Sequence, residues 1–329
     1  MATEIVDDKS SHCIPFILSR HAIHTASSPS TPFFIGINGV QGVGKSTLVS
    51  LLLTTLRDEC NLATEIISLD DLYLTHADQV ALAQANPLNP LVQHRGEPGT
   101  HDIPVAQSLF TSLRNQTETS IPRYDKSAFS GQGDRSPTPL RVNERGIPLR
   151  PPHLPRSAPR DRESESRCGR VNEPSKPKVQ VIILEGWSVG FRALTSEEVT
   201  SKREASRSNP DSTLWKNRLE DLLFVNDKLR EYDVMTDMLD AFIHLDASET
   251  AFVYAWRREQ EAALRVTRGV ENAMTDEQVV RFVDGYYPAY ELFTDDLRKG
   301  VFRGDTGKKG SQLRLIVGRD RRVIEVEQI

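Results

Sequence analysis

Eight residues near the start of the chain, Gly39-Val40-Gln41-Gly42-Val43-Gly44-Lys45-Ser46, have the types and spacing to hold a phosphate chain. They fit the pattern G-x-x-x-x-G-K-[ST]. Glycines let backbone N–H groups turn inward around phosphate oxygens, and a helix N-terminus just beyond adds partial positive charge. Lys45 would reach the β- and γ-phosphates, and the Ser46 hydroxyl would hold Mg²⁺. Gly39, Gln41, Gly42, Val43, Gly44, Lys45, Ser46 and Thr47 are therefore the expected nucleotide contacts. The flanks suit such a loop: Phe33 to Ile37 reads as a buried strand, and Thr47 to Leu56 as a helix.

Acidic residues follow three other apolar runs. Asp70 and Asp71 end the run from Ala63 to Leu69, Glu185 ends Val179 to Leu184, and Asp246 ends Ala241 to Leu245. In open parallel sheets, ligands bind beyond the carboxyl ends of the strands. A small-molecule kinase needs an acid there to accept the proton of the acceptor hydroxyl, and mobile arginines to cover the phosphates. Asp70 fits the first need, with Asp71 its rival, and Arg257 and Arg258 fit the second. The chain lacks the N-K-x-D of guanine-binding GTPases and the L-S-G-G-Q of transporter ATPases. A kinase and a nucleotide-gated switch protein both remain open on these residues alone.

The elements that must position these groups alternate between strand and helix. Helical patterns cover Asp78 to Asn86, Asp102 to Arg114, Leu214 to Glu231, Glu249 to Val266 and Thr275 to Leu297. Asp102 reads as an N-cap with Pro104 in the first turn, Thr275 and Gln278 form a capping box, and Pro288 should divide the last helix. Leu313 to Val317 and Val323 to Val326 read as a C-terminal hairpin. Alternation of this kind implies an α/β layered fold with a mainly parallel sheet.

Residues 1–32 read as a tail in which Ile14, Phe16, Ile17 and Leu18 make one helical turn against the domain, and 33–329 as the folded domain. Ser136 to Lys178 breaks the pattern, with nine prolines, eight arginines and few large apolar residues. Such a segment buries too little surface to offset its ordering entropy, so it is expected to be a disordered insertion.

Composition excludes several classes. The 329 residues carry a net charge of −5, which gives no global basic excess for nucleic acid or an anionic membrane. No apolar run reaches the eighteen or so residues that span a bilayer. Three scattered cysteines form no C-x-x-C, so neither a disulfide framework nor a zinc site is expected. The acidic first ten residues make a poor secretory or transit signal, which points to the cytoplasm with the nucleus left open. Nothing in the pattern sets the oligomeric state.

The segment Ser68-Leu69-Asp70-Asp71-Leu72-Tyr73-Leu74-Thr75 resembles the strand-end motif of the uridine kinase and phosphoribulokinase-like P-loop kinases. Within that group the chain most resembles the D-glycerate 3-kinase family of plants and fungi. Further segments carry the likeness. They are Arg95-Gly96-Glu97-Pro98-Gly99-Thr100-His101-Asp102, Pro122 to Ser127 with Gly131 to Arg135, Leu184-Glu185-Gly186-Trp187, and Trp256 to Glu261 with Met274 to Val279. The likeness runs from Phe33 to Arg135 and from Val179 to the C-terminus.

The resemblance implies a P-loop NTPase three-layer α/β fold with a small helical lid, ATP and Mg²⁺ as cofactors, and D-glycerate as the small-molecule acceptor. It makes Asp70 the base, Lys45 and Arg257 its catalytic companions, and Ser46, Asp70 and Glu185 the metal ligands. Arg257 and Arg258 would close over ATP. Asp71, Tyr73, Arg95, His101, Asp102, Tyr124, Lys126 and Arg135 would form the acceptor wall. A helix-capping role for His101 and Asp102 stays open beside that one, as does a nucleoside or pantothenate-like acceptor in place of glycerate. Trp187 and Trp256 are expected to pack rather than to bind.

Overall fold

The computed structural model describes residues 7–143, 178–268, 273–304 and 308–329. In chain order the elements begin with helix α1 (Ser10–Ser27), strand β1 (Phe33–Gly39), α2 (Lys45–Thr54), β2 (Thr64–Ser68), α3 (His76–Ala85) and α4 (Ile103–Arg114). Four short strands follow, β3 (Thr119–Ile121), β4 (Tyr124–Asp125), β5 (Asp134–Arg135) and β6 (Leu140–Val142). After the undescribed stretch come β7 (Val181–Gly186), α5 (Ser196–Ala205), α6 (Leu219–Arg230), α7 (Asp233–Thr236) and β8 (Ala241–Ala247). The chain ends with α8 (Phe252–Arg268), α9 (Asp276–Asp284), α10 (Tyr287–Lys299), β9 (Gln312–Val317) and β10 (Val323–Gln328).

The main sheet has the order β2-β7-β1-β8-β9-β10. Its first five strands are parallel, and β10 returns antiparallel to β9 as the expected hairpin. All seven residues of β1 and of β8 are buried. Successive side chains on a strand point to opposite faces, so both faces of the sheet centre are covered, which is the three-layer arrangement. Register aligns the strand ends: Ile37 of β1 faces Glu185 of β7 and Ile243 of β8, while Ser68 of β2 faces Glu185 from the other side. The P-loop, Asp70 and Glu185 thus leave the sheet along one edge. No helix among the described residues is long and apolar enough to cross a membrane.

Two expectations change. The single turn expected around Ile14 to Leu18 is part of an 18-residue helix. Its Cys13, Phe16 and Ile17 are buried in the core, and Ile14 and Leu18 pack against it. Residues just before α1 are held by the far end of the chain: Val323 N–H donates to Asp8 Oδ2 at 2.8 Å, and Lys9 Nζ donates to the Arg321 carbonyl. The expected insertion is also narrower at its start. Leu140–Val142 pairs with Thr119–Ile121, Val142 is buried, and Asn143 Oδ1 accepts from Val179 N–H at 3.3 Å. The chain therefore leaves and re-enters the domain at adjacent points. Residues 144–177, on which the rest of that expectation falls, lie outside the described residues.

Helix boundaries follow local chemistry. Asp102 caps α4 through Val105 N–H at 3.0 Å, with Pro104 in the first turn. Thr275 and Gln278 cap α9 reciprocally. The pattern from 275 to 297 divides into α9 and α10, with Pro288 in the first turn of the second, where its missing N–H costs nothing.

Candidate active site

The P-loop is shaped by glycine and seated by its neighbours. Gly42 and Gly44 hold φ of 84° and 99°, the left-handed region that glycine enters freely. Val43 is fully buried, while Ser46 and Thr47 open onto solvent at the first turn of α2. Lys45 Nζ donates to the Gly39 carbonyl at 3.1 Å. Burial pulls the Lys45 pKa down, while Glu185 and Asp70 push it up. That opposition places both acids in the field of the P-loop lysine. Gln41 N–H donates to the Tyr290 hydroxyl at 3.4 Å.

Asp70 and Asp71 sit on a single 3₁₀ turn, Leu69–Leu72, after β2, and their surroundings separate them. Asp71 is buried and committed: Arg123 donates to Oδ2 at 2.6 Å and Tyr124 N–H to Oδ1 at 3.1 Å. Asp70 faces the cationic side chains of the site. Its carboxylate accepts from Lys126 Nζ and from the Tyr73 phenol, and feels His101. Burial raises the Asp70 pKa, but the Lys126 charge and hydrogen bond outweigh it and hold the carboxyl below its usual range. Asp246, the acid on β8, is taken out of play. It is clamped by Arg298 at 2.8 and 3.0 Å and by Arg314 at 2.9 and 2.6 Å.

The segments expected to form the acceptor wall come together through the backbone. Leu74 N–H donates to the Thr100 carbonyl at 3.0 Å and Asp102 N–H to the Leu72 carbonyl at 2.7 Å, so residues 69–75 lie along 95–102. Tyr73 stacks on His101 with ring centroids 4.3 Å apart and meets Tyr124 edge-on at 5.3 Å. His101 is buried, with Nδ1 2.6 Å from the Tyr232 hydroxyl. Burial drops its pKa to about 3, which makes it a neutral imidazole at physiological pH. Arg95 donates to the Gly131 carbonyl at 2.8 Å and to the Gln132 carbonyl, and lies over the Tyr124 ring. Asp102 is both the helix cap and the partner of Arg135, at 2.9 Å, whose guanidinium also reaches the Tyr73 carbonyl. Asp102 and Arg135 thus join the segment 95–102 to β5, and Asp70, Tyr73, His101, Tyr124 and Lys126 form one contact cluster beside them.

The helix pair α8–α9 carries Arg257 and Arg258. Arg257 donates to Glu261, lies over the Phe282 ring at 4.7 Å, and is felt by Tyr286. Glu261 is itself buried and accepts from Met274 N–H at 2.8 Å, tying α8 to the residues before α9. Arg258 is exposed on α8. Trp256 is fully buried and donates Nε1–H to the Arg319 carbonyl at 2.7 Å; Trp187 is buried in a ring cluster with Phe191, Tyr286 and Tyr290. Both are packing residues, as expected.

Several groups at the site carry no signal in the linear pattern. Arg321, in the turn between β9 and β10, donates Nε–H to the Gly42 carbonyl at 2.7 Å, pairs with Glu259 at 2.7 Å and lies over Trp256 at 5.3 Å. It straps the P-loop to α8 from the far end of the chain. Tyr232, Tyr286 and Tyr290 close the acceptor side behind Glu97, Arg95 and Gln41. A cleft of about 940 Å³ opens beside them, bordered by Arg95, Glu97, Gln132, Arg281 and Tyr286.

No model of a known protein family matches the chain. Individual proteins do. It is 38% identical over 273 residues to an uncharacterised kinase of Schizosaccharomyces pombe, spanning 82% of this chain and 84% of that one. It is 30% identical over 270 residues to the chloroplastic D-glycerate 3-kinase of Arabidopsis thaliana, spanning 81% of this chain but 48% of the plant protein. The structure of D-glycerate 3-kinase from Cryptococcus neoformans superposes with a TM-score of 0.81 at 32% identity, covering 98% of this chain and 100% of that one. By sequence over four-fifths of its length and by fold over nearly all of it, the chain belongs to the D-glycerate 3-kinase family of P-loop kinases, phosphotransferases with an alcohol acceptor.

Proposed function

We propose that the chain transfers the γ-phosphoryl group of ATP to the primary hydroxyl of D-glycerate, giving 3-phosphoglycerate, with Asp70 as the base. The observation that carries the catalytic reading is the division of labour between twin acids. Asp71 is locked to Arg123 and the backbone, whereas Asp70 stands between Lys45 and Lys126 beside Tyr73. The names of the Arabidopsis and Cryptococcus relatives support glycerate as the acceptor.

The acceptor oxygen forms its bond to the γ-phosphorus as the bond to the bridging oxygen breaks, and the hydroxyl proton passes to Asp70. A carboxylate held below its usual pKa is a weak base, which suits a loose transition state where the proton leaves late. Asp70 then acts chiefly by aligning the hydroxyl. Lys45, Lys126 and Arg257 supply positive charge around the group in flight. Arg95 keeps donors beyond those used on Gly131 and Gln132, and a substrate carboxylate suits such a guanidinium. Ser46, Asp70 and Glu185 offer a hydroxyl and two carboxylates beside the P-loop lysine, an oxygen donor set that fits Mg²⁺ sharing its shell with phosphate and water. Bound there, Mg²⁺ would neutralise phosphate charge.

One observation favours a second reading, a larger hydroxyl acceptor. The cleft of about 940 Å³ is several times the size of a three-carbon acid. An ADP-release assay with D-glycerate, L-glycerate, uridine, pantothenate and no acceptor separates the two. Release that requires D-glycerate and disappears in Asp70→Asn supports the first reading. Release driven by a bulkier alcohol moves the assignment to the second, and release indifferent to every acceptor ends both.

A further inference from the structure

Glu97 is the least satisfied ionisable group near the site. It is 2% exposed, and neither carboxylate oxygen has a hydrogen-bond partner among the described residues. The Glu97 carbonyl accepts from the Thr100 N–H at 3.1 Å and hydroxyl at 2.8 Å, which closes a tight turn around the side chain. Buried polar atoms without partners are rare, and a buried unpaired carboxyl is among the most costly. Where such a group stands in the wall of a binding cleft, function is the first explanation to test.

Its surroundings show what it could take. Three phenols, those of Tyr232, Tyr286 and Tyr290, stand within electrostatic reach of the Glu97 carboxyl. Each touches a different part of the site. Tyr232 meets His101, Tyr286 meets the Arg95 carbonyl at 3.3 Å and feels Asp70, and Tyr290 meets the P-loop at Gln41. The phenols around Glu97 therefore reach both residues 95–101 and the phosphate loop. Burial, the cause of its raised pKa, favours the neutral acid, which offers one O–H donor and one C=O acceptor. A cationic or phosphate ligand fits such a group poorly, whereas an alcohol, itself donor and acceptor, matches it. His101 Nε2, also buried and without a partner among the described residues, adds a second polar atom nearby.

We propose that the Glu97 side chain is the seat of the acceptor's non-reacting hydroxyl, the group that distinguishes a 2-hydroxy acid from its deoxy counterpart. This rests on glycerate as the acceptor. Sites that hydrogen-bond a substrate hydroxyl reject the analogue lacking it strongly, because their own polar groups are left unpaired. Glu97 then sets specificity without touching the phosphoryl group.

The test compares kcat/KM for D-glycerate and for 3-hydroxypropionate, which keeps the carboxylate and the primary hydroxyl but lacks the C2 hydroxyl. The full chain should prefer D-glycerate by at least about 100-fold. Glu97→Leu should collapse that ratio to within about tenfold of unity, through loss on D-glycerate with the deoxy acid unaffected or improved. Glu97→Gln retains a donor and an acceptor, and should keep at least about tenfold discrimination even if the leucine variant fails to fold. An equal fall on both acids in either folded variant would show a purely structural role, filled by water, and overturn the proposal. So would a wild-type enzyme that treats the two acids alike. Absence of turnover with D-glycerate would remove the substrate reading itself, and this inference with it, whereas an unselective loss removes this inference alone.

Discussion

Exchanging each of the twin acids for asparagine should separate catalysis from stability. In Asp70→Asn the side chain lost is 28% exposed, and its Lys126 partner is 59% exposed. Ion pairs that open to water contribute no more than about 1 kcal/mol, so the melting temperature should hardly move. Loss of a positioned base costs about 10²–10⁴ in rate, equivalent to about 2.7–5.5 kcal/mol in the barrier. Asp71 is the reverse case. It is 12% exposed, and Arg123 is 37% exposed at 2.6 Å. Asparagine there can still accept from Tyr124 N–H but leaves Arg123 without its counter-charge. About 1–3 kcal/mol of stability should go, less than for a fully buried pair because the arginine reaches water. In a chain of this size that lowers the melting temperature by about 2–8 °C. The assays are thermal unfolding followed by circular dichroism, and kcat with saturating ATP and D-glycerate. The expected pattern is crossed: Asp70→Asn stable but at least about 100-fold slower, Asp71→Asn less stable but within about tenfold of wild-type kcat. An Asp71→Asn protein that melts normally and has lost its turnover, beside an active Asp70→Asn protein, would refute the reasoning and exchange the two roles.

Other perturbations test the frame around the site. Gly42→Ala places a methyl group 2.6 Å from Trp256 Cβ at a φ of 84°; a loss of about 1–3 kcal/mol and a large loss of ATP binding by calorimetry are expected, and unchanged binding would mean the loop has room to move. Arg321→Ala removes the bond to the Gly42 carbonyl, the bridge to Glu259 and the contact with Trp256. It should raise the KM for ATP about tenfold with kcat within about threefold, the signature of lost ground-state positioning; a selective fall in kcat would place Arg321 in the chemistry instead. His244 tests pH linkage: burial, aided by Arg298 and Arg314 against Asp246, lowers its pKa to about 4. Below pH ~6.5 the unfolded chain therefore binds a proton that the folded one refuses, so this contribution is full above that pH and is lost as pH falls towards 4. In urea titrations, wild type should lose about 2 kcal/mol relative to His244→Gln between pH 7.5 and 5.0; a gap that stays constant would mean the folded imidazole titrates as the unfolded one does.

What could be read from the chain alone was whatever sits in short stretches of sequence. The P-loop is legible because backbone N–H groups can wrap a phosphate only with glycine at set positions and a lysine one residue past the last. The central strands are legible because burial on both faces leaves unbroken apolar runs, as in Val181–Gly186 and Ala241–Ala247. Asp102 and Thr275 announced their helices because caps act within three residues. Helix α5 escaped notice although Thr195 and Glu198 form the same kind of capping box, because only Val199 of that helix is buried and no apolar stripe follows. Helix α1 read as one turn because Pro15 and scattered polar residues blur its apolar face, and the chain from Ser136 to Asn143 read as insertion because its pairing partner lies on β3. Relations between distant segments were out of reach: Arg123 on Asp71, Arg321 on Gly42, and the unpartnered Glu97 within a motif that offered it no separate role.

Phosphoryl transfer to the primary hydroxyl of D-glycerate can be followed by ³¹P nuclear magnetic resonance of the reaction mixture. With ATP, Mg²⁺ and D-glycerate, one new phosphomonoester is expected, coupled to the two C3 protons and formed in step with ADP. ADP accumulating beside inorganic phosphate alone, or a phosphomonoester on C2, would contradict it.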